Sequence, residues 1–471
     1  MRYWIRKIQR LFTGRAWAVS PGFNLQGVSG AGERTDALQP AVTSPSPDRI
    51  VSRFPGLHGS HVTQGELSGQ ARQTETYGEE VSREAADNDA AIAIRTPIRV
   101  LIVAPSLDIL GGQAVQAARL LAHMREEPSL DVSFLPINPR LPGLLRKLQE
   151  IKFVRTAVTS LVYCATLLAR VRNYDIIHIF SASYLSFLLA PTPAILVARL
   201  YGKKIVLNYR SGEAEDHLRR WRRTALRVIR MADEIAVPSR YLVDVFARFG
   251  LRARAIFNFV EAKHFRYRER KPLRPIFLSN RNLEPLYNVG CILRAFALIQ
   301  RRFPDARLTL AGDGSQRKEL EKLAHTLGLR NTAFVGHIEP QRMKDLYDAA
   351  DIYLNSSNID NMPGSIIESF AAGLPVVTTD AGGIPYIVTD RETGMMVQCG
   401  DYEALADCAI KLLEDDALAS KIIHSARQEC SKYSWSAVRN QWLKLYYELA
   451  REEATVPNEH VAGGRASVGQ R

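Results

Sequence analysis

Cysteine is scarce in this chain, and what there is lies apart. Cys164, Cys291, Cys399, Cys408 and Cys430 are odd in number and form neither a CxxC pair nor a Cys/His cluster. That excludes a disulfide framework and gives a zinc centre no support, so a reducing cytoplasm is the expected compartment. The glycines after the first apolar strand, Gly111 and Gly112, do not extend to G-x-G-x-x-G, which removes the dinucleotide fingerprint. No DNA- or RNA-reading motif is present, so nucleic acid is not an expected partner. Long apolar runs are missing too. The uninterrupted apolar core Thr156–Ala169 is too short to span a bilayer. Met1–Val19 lacks the continuous apolar centre of a signal peptide, so export is not expected.

Acidic residues are in deficit, and the deficit is local. The net charge is +13 over 471 residues, and residues 96–260 hold 24 Lys and Arg against 12 Asp and Glu. Residues 261–449 balance at 24 against 24. A basic first half invites an anionic partner, and without nucleic-acid motifs that is an anionic membrane surface or acceptor. Met1–Val19 adds a short basic amphipathic pattern that suits a membrane interface, or else a disordered start.

The length suffices for two or three domains. Residues 1–95 beyond the amphipathic start are rich in Gly, Ser, Pro and Gln and read as a disordered extension. From Ile98, IRVLIVAP reads as a buried parallel strand, and helical patterns then alternate with strands at Val132–Leu135, Asp175–Ile179, Lys204–Leu207, Glu234–Val237 and Arg254–Ile256. Leu141–Arg172 is apolar but studded with basic residues, and reads as sheet-packing helix or as a face lying on a membrane. The pattern restarts at Ile276–Ser279 after the basic, proline-containing stretch Arg266–Arg274. This divides the chain into domains over 96–265 and 272–434, a closing helix over 435–453 and a disordered tail over 454–471.

The most informative stretch is Asn355–Pro385, NSSNIDNMPGSIIESFAAGLPVVTTDAGGIP. Asp360 and Glu368 are carboxylates with seven residues between them, and Pro363-Gly364-Ser365 lies in that interval. Gly and Ser suit a helix cap, and Ile366, Ile367, Phe370 and Ala371 recur at helical spacing. Gly373 ends the helix, and Leu374–Thr378 reads as a buried strand. Asp360 is therefore expected in a loop and Glu368 in the first turn or two. A helix N-terminus between them offers N–H groups and a positive dipole end to a phosphate. Acids on either side can accept hydrogen bonds from the hydroxyls of a hexose and a ribose. The pattern points to a nucleotide-sugar site.

The same stretch resembles the carboxylate-x7-carboxylate element of retaining glycosyltransferases of family 4, and GLPVVTTDAGGIP is similar to that family's continuation. The resemblance covers roughly residues 96–450. It implies an α/β chain of the GT-B fold: two doubly wound Rossmann-like domains facing across a cleft, donor in the second and acceptor in the first. By resemblance, Asp360 contacts the donor sugar, Glu368 the ribose, and Pro363, Gly364 and Ser365 the sugar and phosphate. Gly111 and Gly112 face the diphosphate, His337 and Ile338 flank the base, and Arg281 holds the leaving charge. The implied reaction is transfer with retention to a saccharide or glycolipid acceptor. The leaving phosphate takes the acceptor proton, and neither metal nor other cofactor takes part. The scattered cysteines point to a cytoplasmic protein, and the basic first half with the Leu141–Arg172 run adds the alternative of peripheral attachment to the cytoplasmic face of the membrane.

Two positions depart from the family pattern. Arg210 stands where a His is usual, and Tyr287 where a Lys is usual. One cation is lost from the donor lobe and one gained opposite, so Arg210 is expected to reach the diphosphate. The simpler alternative pairs Arg210 with Glu213 or Glu215. A nucleotide-sugar epimerase of GT-B fold and an inactive partner subunit are the competing readings. A two-lobed solute-binding protein would need an export signal.

Overall fold

Alternation of strand and helix produces two separate parallel sheets. The computed structural model describes residues 96–106, 111–140 and 151–454. Four expectations fall outside the described residues: the basic start and extension over 1–95, Leu110, the beginning of the Leu141–Arg172 run, and the tail from residue 455.

In the first domain β1 (Ile98–Ala104), β2 (Leu130–Pro136), β3 (Ile176–Ser181), β4 (Lys204–Tyr209), β5 (Glu234–Val237) and β6 (Arg254–Ala255) pair in the order β2-β1-β3-β4-β5-β6, all parallel. The crossovers are α1 (Gly112–Arg125), α2 (Lys152–Arg170), α3 (Tyr184–Leu189), α4 (Pro191–Leu200), α5 (Ala214–Arg220), α6 (Arg222–Ile229) and α7 (Arg240–Arg248). Side chains of β1 alternate between two cores, which is why Val100–Ala104 is apolar without interruption. Leu101 and Val103 meet α2, α4, α6 and α7, while Val100 and Ile102 meet α1 and the last helix of the chain.

The second domain repeats the plan. Strands β7 (Ile276–Ser279), β8 (Arg307–Ala311), β9 (Thr332–Gly336), β10 (Ile352–Asn355), β11 (Val376–Thr379) and β12 (Met395–Val397) pair in the order β12-β11-β10-β7-β8-β9. Their helices are α8 (Val289–Arg302), α9 (Arg317–Thr326), α10 (Pro340–Ala349), α11 (Gly364–Ala372), α12 (Tyr402–Glu414) and α13 (Asp416–Cys430). The final helix α14 (Trp435–Ala454) returns to the first domain, where Val438, Trp442 and Tyr446 complete the core beside α1. Arg439 pairs with Glu127, and the Tyr446 hydroxyl lies 2.6 Å from His178 Nδ1. The connector is tied down by charge: Asp351, buried below β10, accepts from Arg268 and Arg274 at 2.8 Å. Arg270 beside it spends its donors on the carbonyls of Tyr347, Ala350 and Ala372.

Three local expectations need correction. Asn208 and Tyr209 extend β4 past Leu207, where the strand was expected to end. They are polar, but His178 bonds Asn208, and Ser183 and His217 bond the Tyr209 hydroxyl, so both are buried in the strand without loss. Helix α11 is preceded by Pro363 in extended conformation with no side-chain cap, and Gly364 is its first residue rather than its cap. Helix α2 packs on the sheet, but its apolar reach is longer than expected. Tyr163 and Leu167 are its buried side chains, and the stretch Val154–Asn173 is long and apolar enough to cross a membrane. Counting only the uninterrupted apolar centre missed the flanking helical turns.

Candidate active site

A cavity of about 430 Å³ opens where the carboxyl ends of the two sheets face each other. Its walls include every residue singled out from the sequence: Gly111, Gly112, Arg210, Arg281, His337, Ile338, Asp360, Pro363, Gly364, Ser365 and Glu368. Open α/β sheets place their ligands at this edge because the helices that follow begin there with unpaired N–H groups.

On the second-domain wall, β7 delivers Arg281 and β10 delivers Asp360. Arg281 Nη2 donates to Asp360 Oδ2 at 2.5 Å, and Nη1 to Ser365 Oγ at 3.3 Å. The Tyr287 ring lies 4.1 Å from the guanidinium carbon, a cation–π contact. Burial opposes the Arg281 cation, but Asp360 and the hydroxyls of Tyr287, Tyr353 and Tyr347 outweigh it, and the net shift is upward. Arg281 Nε is buried without a partner, so the protein does not use the whole fork.

Glycines bring these backbones together. A Cβ on Gly312, whose φ is +152°, would sit 2.4 Å from the Arg281 carbonyl. A Cβ on Gly383 would sit 1.9 Å from the Asn361 carbonyl, so the Gly-Gly turn after β11 presses directly on the Asp360 loop. Glu368 sits on the inner face of α11. Its carboxylate accepts from Tyr347 OH and from Arg119 Nη2, each at 2.9 Å. Arg119 comes from α1, so this contact crosses the cleft.

The first-domain wall is different. A Cβ on Gly111 or Gly112 would meet nothing within 4 Å, so these glycines keep space open rather than relieve strain. Arg210 follows β4 and bonds the amide oxygens of Asn208 and Asn258, with Phe180 beneath it at 5.2 Å. Burial pushes its guanidinium down to about 9, still a cation at neutral pH. The pairing with Glu213 or Glu215 does not form; Glu215 is taken by Arg219 and Arg248. His337 is exposed and Ile338 half-buried beyond Gly336. Sequence reasoning missed Arg119, Tyr347 and Asn258. For Arg119 a signal existed, since it lies seven residues beyond Gly112 and so two turns along the same helix face. Tyr347 and Asn258 carried none, because their partners are distant in sequence.

Residues 261–429 match the family model for glycosyl transferases group 1. Among curated proteins, the D-inositol 3-phosphate glycosyltransferase of Corynebacterium urealyticum is 31% identical over 193 residues, covering 39% of this chain and 46% of that protein. The Campylobacter jejuni α-1,4-N-acetyl-D-galactosaminyltransferase that acts on an undecaprenol-diphosphate-linked saccharide is 25% identical over 272 residues, covering 56% and 74%. The chain spans about half the length of several curated relatives it matches, 46% for the first three. Among solved structures, Anabaena HepE with UDP and glucose aligns over 74% of this chain and all of its own, with TM-score 0.58 and 18% identity. Sucrose-phosphate synthase of Thermosynechococcus elongatus aligns over 75% of this chain and all of its own, at TM-score 0.60 and 19% identity. At these identities the likeness shows the fold alone, two Rossmann-like domains of the GT-B kind.

Proposed function

We propose that this chain is a glycosyltransferase that moves a sugar from a nucleotide-diphosphate sugar to a saccharide or glycolipid acceptor, with retention and without a bound metal. The observation that carries the reading is the convergence of Arg281, Asp360, Glu368 and the N-terminus of α11 on one cavity between two Rossmann-like sheets. The group 1 family match and the UDP bound in a structural neighbour support it.

In this reading the donor diphosphate lies across the N-terminus of α11, where no side chain caps the helix. Glu368 accepts from the ribose hydroxyls, Asp360 from the hexose, and His337 and Ile338 border the base. The acceptor enters by a second groove, bordered by Tyr184, Glu213, Asp216 and Tyr241, that opens onto Asp360. Its hydroxyl oxygen attacks the anomeric carbon on the face the diphosphate leaves. The anomeric C–O bond breaks, and the acceptor proton passes to the departing phosphate oxygen. Arg281 and Arg210 offset the developing charge from opposite walls, a task for which a guanidinium fork is suited. Narrowing of the cleft excludes water that would hydrolyse the donor. A cytoplasmic role in building polysaccharide or glycolipid precursors is part of the same proposal.

The test is a thermal-shift series of the full chain with UDP-, GDP- and ADP-sugars, followed by turnover with EDTA present and NMR of the product's anomeric proton. A donor that raises the melting temperature and yields a retained glycosidic bond is expected. No shift with any donor, or an isomerised donor sugar in place of transfer, would sink the proposal.

A further inference from the structure

The first domain has a second surface that the cleft does not use. On α2, Ala157, Leu161, Ala165 and Leu168 are exposed and recur four, four and three residues apart, which sets them in one stripe along the helix. Leu161 is 72% exposed, although it lies in the middle of a long helix. Beside α2, helix α4 exposes Leu196 and Leu200, one turn apart, and Leu200 is 71% exposed. Tyr201 OH donates to the Leu168 carbonyl at 3.0 Å, which joins the two helices into one apolar surface. Arg199 extends the seam by bonding Met231 O and Asp233, just past the end of α6.

Helix α6 then presents charge of one sign. Arg222, Arg223, Arg227 and Arg230 are all exposed, and none forms an ion pair among the described residues. They belong to the half of the chain that carries 24 basic against 12 acidic residues. A core helix would bury the α2 stripe, yet no more than 17% of the apolar window in Val154–Asn173 is buried. A spanning helix would have to leave its neighbours, yet Tyr163 OH donates to Ala190 O at 2.9 Å, and Leu167 and Val171 are fully buried in the sheet core. The helix is therefore held flat against the domain with its apolar side outward. Apolar side chains flanked by unpaired arginines complement a layer with acyl chains inside and phosphates outside. A second copy of this chain would bring four more arginines to the same place.

We infer that the α2–α4–α6 face docks the chain on an anionic bilayer, with Leu161, Leu168, Leu196 and Leu200 entering the acyl boundary and the α6 arginines meeting lipid phosphates. The inference does not depend on the transferase reading. Co-sedimentation of the full chain with phosphatidylglycerol-containing and pure phosphatidylcholine vesicles tests it. Binding is expected to the anionic vesicles, falling with salt as surface charge is screened. Each arginine near the surface contributes about fivefold, so Arg222→Gln, Arg223→Gln, Arg227→Gln and Arg230→Gln together should weaken binding by at least about fiftyfold. Leu161→Gln with Leu200→Gln should weaken it by at least about tenfold, while leaving the melting temperature at the wild-type value or above. These two sets are exposed and independent, so a folding failure in one leaves the other informative.

Several results would overturn the proposal. One is failure of the wild type to bind anionic vesicles; another is binding by both variant sets equal to wild type, which would assign the affinity to another segment. Binding that survives alkaline carbonate would mean insertion instead. Leucine variants that abolish self-association and spare vesicle binding would make this a face between copies of the chain.

Discussion

The two domains share a six-stranded parallel plan but manage charge in opposite ways. In the second, buried ions are paired: Arg281 with Asp360 at 2.5 Å, and Asp351 with Arg268 and Arg274 at 2.8 Å. In the first, Glu127 is paired only by Arg439 of the final helix, and Arg210, His178 and His217 have no carboxylate partner. Burial pushes His178 down to about 3 and His217 to about 4, and Arg210 is held by amides alone. A paired cation holds a loop in shape, whereas a cation without a carboxylate can meet a ligand's charge without first losing a partner. The cleft thus sets a rigid wall against a receptive one.

The largest effect expected from breaking this contrast is at Asp360. Asp360→Ala leaves Arg281 buried and unpaired, a loss of about 3–5 kcal/mol for a buried pair. Both stability and turnover should fall, turnover by at least about a hundredfold. Adding Arg281→Met should restore much of the stability and none of the turnover. Calorimetric unfolding and steady-state rates check this; an Asp360→Ala protein as stable and active as wild type contradicts the rigid wall.

Acid should separate the domains next. The folded pKa values of His178 and His217 lie below the ordinary 6.5, so the unfolded chain binds more protons in between. Their contribution is complete above about pH 6.5 and is lost as pH falls towards 4, by about 2–3 kcal/mol for each histidine at pH 4.5. Asp351 is lowered as well, which for an acid favours the charged form. Burial opposes its charge, but the bonds from Arg274 and Arg268 prevail and hold it below 3.8, so its stabilisation lasts until the pH falls below that value. Hydrogen exchange at pH 4.5 should show β3 and β4 opening before β7 and β10, with a weaker pH slope in His178→Gln. Simultaneous opening would mean the domains do not differ in this respect.

Glu368→Ala should weaken the bare nucleotide about ten- to a hundredfold, since a hydrogen bond to a charged group is worth roughly 1.5–3 kcal/mol. Tyr347→Phe, which removes an orienting neutral donor, should cost less than Glu368→Ala. Isothermal titration decides, and equal losses would assign the effect to packing.

The smallest effect sharpens the receptive wall. Arg210→Ala should lower kcat more than donor affinity, because its contact would strengthen as the leaving charge develops. A kcat within about threefold of wild type, roughly 0.65 kcal/mol, would remove Arg210 from that role. Tyr287→Lys in the Arg210→Ala background tests whether charge can be returned to the donor wall. Tyr287 now packs its ring on Arg281, so a lysine there would bring a second cation close to the first. Failure to rescue would mean the two positions are not exchangeable.

The periodicity of apolar residues was enough to place β1, β5 and β7, because strands buried on both faces have continuous apolar centres. The spacing of Asp360, Gly364 and Glu368 likewise placed a loop, a helix start and a helical carboxylate without any tertiary information, since these follow from local geometry. Tertiary structure decided what those residues touch. Arg119 reaches Glu368 across 249 positions, and Asn258 holds Arg210 across 48, distances at which sequence spacing carries no signal. It also decided that Asn208 and Tyr209 lie in a strand, because only folded neighbours can satisfy their polar atoms. Above all it decided which side of α2 faces outward: an apolar helix reads alike whether it packs in a core or lies bare, and only the position of its neighbours distinguishes the two.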